Sequence, residues 1–99
     1  QLDILVPWNA TIDSATILPD QSGSVVIDVW KDTFANYPPT VADNITAGGL
    51  TLASGSSVQD TTLTGWSTTV SEGDTLRFNV SGAATNITRA TMELGVTLT

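Results

Sequence analysis

Asn86-Ile87-Thr88-Arg89-Ala90-Thr91-Met92-Glu93-Leu94-Gly95-Val96-Thr97-Leu98 is the stretch whose periodicity decides the fold. Ala90, Met92, Leu94, Val96 and Leu98 recur at every second position, and Arg89, Thr91, Glu93, Gly95 and Thr97 fall between them. A repeat of two is the period of a strand, so this run predicts a strand with one face in a core and one in water. Leu76, Phe78 and Val80 alternate with Arg77 and Asn79 in the same way. With Ser81-Gly82 and Ala83 to Thr85 as the link, the two runs are read as an antiparallel hairpin.

The pattern extends through the chain. Leu2, Ile4 and Val6 alternate with Asp3 and Leu5 up to Pro7, which cannot donate to a ladder and ends the strand or lies on an edge. Thr11 to Leu18 forms the next strand, closed by the turn Pro19-Asp20-Gln21-Ser22-Gly23. In Ser24 to Trp30, Val25, Ile27 and Val29 share one face, opposite Val26, Asp28 and Trp30. Shorter strands are expected at Leu50 to Ala53, Thr61 to Trp66 and Ser67 to Val70, before the turn Ser71-Glu72-Gly73-Asp74. Thr, Val, Ile and Leu dominate, while the residues that coat exposed helices are scarce. The reading is a single all-β domain over residues 1–99, an antiparallel β-sandwich or jelly roll of about seven or eight short strands. Ile27, Val29, Phe78, Met92, Leu94 and Val96 are assigned to one core.

Composition excludes much chemistry. The chain has no Cys and no His, so disulfides, thiolate nucleophiles, imidazole bases and nitrogen or sulfur zinc sites are absent. Ten acidic residues stand against Lys31, Arg77 and Arg89, for a net charge of −7 that repels nucleic acid and anionic lipid. No apolar run reaches the roughly 20 residues that span a bilayer, and Gln1 to Pro7 lacks the basic start of a signal peptide. The opening directly into a strand pattern, without Met, suggests a chain trimmed at its start.

Paired carboxylates are the one catalytic device left, with Asp28, Asp32, Asp43, Asp60 and Asp74 as candidates. Asp32, Asp43 and Asp74 stand beside turn residues, where a carboxylate accepts local amides, so the structural reading takes precedence. A glycan hydrolase would need two carboxyls facing one another across a groove. The spacing of an EF-hand loop is missing, and Asp28 with Asp32 fills too few positions for calcium. No enzyme activity, cofactor or metal is therefore expected. Asn9, Asn44, Asn79 and Asn86 begin N-x-S/T triplets, which a Thr- and Ser-rich chain makes by composition; glycosylation is not expected.

Lys31 to Gly49 breaks the alternation and exceeds the ~12–15 residues usual for an unstructured loop in a compact domain. Its apolar content predicts packing over one end of the sandwich, with a helical turn around Thr33 to Asn36. Trp30, Phe34, Tyr37, Pro38 and Pro39 are the candidate partner contact, because they combine large area with little freedom to lose on docking. Trp8, Trp30 and Trp66, with Tyr37, also suit a sugar-stacking platform, although tryptophan in a small sandwich more often packs.

The segment Asp20-Gln21-Ser22-Gly23-Ser24-Val25-Val26-Ile27-Asp28-Val29-Trp30-Lys31-Asp32-Thr33-Phe34-Ala35-Asn36-Tyr37-Pro38-Pro39-Thr40-Val41-Ala42-Asp43 resembles a family of bacteriophage virion structural and tail-associated proteins. Leu63-Thr64-Gly65-Trp66, Gly73-Asp74-Thr75-Leu76-Arg77-Phe78-Asn79-Val80 and Ile87-Thr88-Arg89-Ala90-Thr91 fit the same family in order, so the resemblance runs from Ile12 onward. It implies a virion location and a structural role, and it transfers no binding residues. Members have a short segment before the position of Leu2. The expected partners are other virion proteins and further copies of the chain, as a homo-oligomer closed at three. A host-receptor or carbohydrate-binding module of a tail fibre, with a host surface glycan as ligand, is the alternative.

Overall fold

The structure is a computed structural model, and it describes residues 2–81, 84–87 and 89–99. Eight strands form two four-stranded antiparallel sheets. They are β1 (Leu2–Leu5), β2 (Ala10–Pro19), β3 (Gly23–Thr33), β4 (Leu50–Gly55), β5 (Val58–Asp60), β6 (Thr69–Val70), β7 (Asp74–Val80) and β8 (Ala90–Leu98). One sheet runs β1-β7-β3-β4; in the other, β2 carries β8 along one side and β5 and β6 along the opposite side.

Alternation sorts the side chains as expected along β3, where Val25, Ile27 and Val29 are buried. Across the core from them, Ala10, Ile12, Ala15 and Ile17 of β2 are buried, with a β-bulge between Ile12 and Ser14. The bulge needs the glycine opposite it: a Cβ on Gly95 would stand 2.3 Å from Ser14 Oγ. Val6, Ile45, Leu63, Val70 and Leu76, with Leu50 and Leu52 of β4, complete the core. Removing side chains of this size from water contributes roughly 1.5–3 kcal/mol each.

Three expectations are corrected. Ala90–Leu98 is a strand, but it pairs with β2 from Ala10↔Leu98 to Pro19↔Ala90 and not with β7, so the predicted hairpin does not exist. The chain instead crosses from one sheet to the other between β7 and β8; Ser81 and Thr85 bond back to β3 on the way, and Gly82 and Ala83 of the proposed link lie outside the described residues. Thr61 to Trp66 is not a strand, because the Asp60 carboxylate accepts the amides of Thr62 at 2.9 Å and Leu63 at 3.0 Å and turns the chain. The expected common core loses a member. Phe78, Met92 and Leu94 are half-buried against the core cluster that holds Ile27 and Val29, whereas Val96 is 39% exposed on an edge strand.

Candidate interaction surfaces

The segment after β3 is ordered by local bonds and then tied to the sandwich. Phe34–Asn36 forms a 3-10 turn, close to the helical turn read from the sequence, and Val41–Asp43 forms a second. The Asp43 carboxylate accepts the Thr40 amide at 2.8 Å, which fixes the start of the second turn. Asn44 then bridges Trp30, and the Ile45 amide donates to the Val29 carbonyl at 2.9 Å, so the returning chain occupies the edge of β3 beyond the end of β4.

A buried polar cluster holds that return in place. Thr46, 1% exposed, accepts the Val29 amide at 3.3 Å, and its hydroxyl lies 2.7 Å from Asn44 Oδ1 and 3.3 Å from Asp28 Oδ1. Asn44 Nδ2 donates to the same Asp28 oxygen at 3.3 Å. Gly49, at φ +88°, lets the chain pass this carboxylate; a Cβ there would stand 2.6 Å from Asp28 Oδ1. Asp28 is thus accounted for by packing of the segment. Asp32, Asp43, Asp60 and Asp74 each accept a turn amide, and among the described residues no three acidic side chains gather as a metal site.

On the outer face of the β1-β7-β3 sheet, Asp3, Arg77 and Trp30 stand in one cross-strand row. Arg77 donates to both Asp3 oxygens, at 2.7 and 2.8 Å, and Tyr37 donates its hydroxyl to the same carboxylate. The guanidinium carbon also lies 5.8 Å from the Tyr37 ring centroid. The hydrogen bonds from Arg77 and then Tyr37 hold the Asp3 carboxyl well below the usual carboxylate range, and Asp3 in turn raises Arg77.

The candidate contact residues therefore divide. Pro39 is fully buried, Tyr37 is tied to Asp3, and Trp30 is half-buried with its indole N–H enclosed and without an acceptor among the described residues. Pro38 is exposed, and Phe34 projects with 69% of its surface in water, matched by Val41 at 69%. Packing and presentation both occur in the one segment, on different residues.

A second apolar surface was not legible in the sequence. Between β1 and β8 the two sheets part along a seam holding apolar hollows of ≈ 250 Å³, against Leu2, Phe78 and Met92, and ≈ 130 Å³, against Ile4, Trp8, Leu94 and Val96. A cavity of about 150 Å³ admits a benzene ring, so the smaller hollow has room for a side chain. Leu2, Ile4 and Leu98 remain 63%, 42% and 62% exposed although they lie on the faces that alternation assigned to the core. Trp66 packs against the core, while Trp8 sits at the mouth of the seam, 47% exposed.

No protein family, curated protein or solved structure matches the chain.

Proposed function

We propose that this chain is a structural module of a bacteriophage particle, a self-associating β-sandwich that decorates the capsid or forms part of a fibre, spike or tail. The observation that carries the reading is where the uncommitted surface lies. Apolar side chains are exposed along a seam and on a projecting turn, on a chain that is otherwise strongly acidic. Exposed apolar patches rimmed by polar residues are what protein contacts use, and net charge keeps unassembled copies apart. The phage assignment rests on the resemblance carried by residues 20–43 and the later segments.

Purified particles supply the test. Peptides of this chain recovered in a fixed ratio to capsid or tail proteins, with its density located by electron microscopy, are expected. Its absence from particles whose infection cycle expresses it would overturn the assignment.

A receptor-binding role is the second reading, favoured by the enclosed indole N–H of Trp30, beside Arg77 in the outer-face row, which has no acceptor among the described residues. Because that donor is closed to solvent, a sugar hydroxyl reaches it only when the side chains around it move aside, and the saturable glycan binding that results is weakened by Trp30→Phe. Glycan arrays showing no sugar-competed signal would remove it.

A further inference from the structure

β8 is nine residues long and pairs only with β2 among the described residues, which makes it the longest edge strand of either sheet. Natural edges are blunted by Lys, Pro, bulges or shortness. β8 has no Lys, no Pro and no extra residue of its own, since the bulge in its ladder adds its residue to β2; Glu93 is its one charge. At its two ends the Arg89 carbonyl accepts from Asp20 and the Thr99 amide donates to Asn9, so odd-numbered residues spend their backbone groups on β2. In a regular strand the even-numbered residues, Ala90 to Leu98, then turn theirs to the free side.

That free side is self-complementary. If a second β8 runs antiparallel with Leu94 opposite Leu94, then Met92 meets Val96, Ala90 meets Leu98 and Thr91 meets Thr97. Glu93 falls opposite Gly95, which has no side chain, and not opposite a second Glu93. Like charges placed directly opposite destabilise a sheet, and this register avoids them in a chain of net charge −7. The even-numbered residues all face inward in both copies, so pairing about a two-fold axis normal to the sheet sets the two seams side by side. Leu2, Ile4, Val80 and Leu98, exposed at 63%, 42%, 51% and 62%, lie along that seam or at its ends and gain cover. A stable pair covers about 800 Å² on each copy, more than a ladder alone supplies, so the pairing requires the seam residues to be covered as well.

We infer that two copies of this chain join through β8, with Leu94 on the two-fold axis, into one continuous sheet whose seams close against each other. The association is isologous, which sets it apart from the three-fold closure expected from the sequence. It does not depend on where the chain resides, so absence of the protein from particles would leave it intact.

The register gives the test. Thr91 and Thr97 form a non-hydrogen-bonded pair in this arrangement, with Cα atoms ~4.5 Å apart, inside the range a disulfide spans. Since the chain has no cysteine, a Thr91→Cys/Thr97→Cys double variant is expected to cross-link into pairs under mild oxidation, reversibly with reductant, while neither single variant does. Sedimentation of the unmodified chain is expected to show a concentration-dependent dimer. Val96→Lys, which sets an inward ammonium opposite Met92 of the second copy, weakens that dimer at least ~10-fold with the far-ultraviolet spectrum unchanged. A monomer at every concentration, a three-chain mass, or equal cross-linking by the single variants would overturn the proposal.

Discussion

The two long sides of the sandwich end differently, although the same alternation of residues builds both. On one side β4 turns into β5 through residues 56–57 and so passes directly from sheet to sheet, and the Ile45 carbonyl accepts the amide of Ser67, in the loop that leads into β6, at 2.9 Å. Leu50, Leu52, Ile45 and Leu63 are buried there. On the other side β1 and β8 face each other across an open seam, and inward-facing Leu2 and Leu98 remain wet. Patterning fixes which face a side chain takes; whether that face is covered depends on what stands beside the strand.

The contrast breaks first under truncation. Leu52→Ala on the closed side removes a side chain that is 3% exposed and leaves a cavity with little room to collapse, a cost of about 2–5 kcal/mol. The matching Leu98→Ala on the open side is expected within about 0.5 kcal/mol in the isolated domain. Urea titration of both variants checks the difference; equal losses would show that the seam is closed in solution.

Closure also depends on a hydroxyl. Thr46→Val keeps the shape but deprives the Val29 amide of its Oγ1 acceptor and Asp28 of one of its contacts, inside a buried site. Leaving such groups unpaired costs about 1–3 kcal/mol. The loss should appear with early amide exchange at Ile45, measured by hydrogen–deuterium exchange. Retained protection there would mean that packing alone holds the return.

How much of this the sequence carried follows from the same distinction. Strands with a strict period of two, such as Val25 to Val29, were legible because burial on one face is what creates the pattern. The partner of β8 was not legible: alternation is equally satisfied beside β7 or β2, and the choice is made by a chain crossing that leaves no periodic trace. Thr61 to Trp66 reads as a strand by residue type, yet two amides captured by Asp60 override propensity. Among the candidate contact residues, aromatic and proline content marked a segment that cannot be loose. It could not separate buried Pro39 from projecting Phe34, since both residue types serve either purpose.

Phe34 sharpens that separation. Phe34→Ala removes a ring that is 69% exposed and should leave the midpoint of the isolated domain unchanged within about 0.5 kcal/mol. Incorporation into particles, scored by quantitative mass spectrometry, is expected to fall. A lowered midpoint would return the turn to a packing role.

The smallest effect belongs to the exposed row that ties Tyr37 to β1 and β7, and pH reads it. Asp3 is held below its ordinary range in the folded chain, chiefly by the Arg77 hydrogen bonds and next by Tyr37. A carboxyl whose folded pKa is depressed binds its proton more readily in the unfolded chain, where it titrates near ~3.9. Its contribution is therefore complete above about pH 4 and is lost as pH falls from there toward the lower folded value. Because the row is open to water, solvent screening keeps that contribution small. Comparing the denaturation midpoints of the native chain and Asp3→Asn between near-neutral and strongly acidic pH isolates it from the other carboxylates. The native chain should be slightly the more stable near neutrality, with the gap narrowing below about pH 4. A gap that widens in acid would reverse the sign and break the assignment of Asp3 as the anchor of Tyr37.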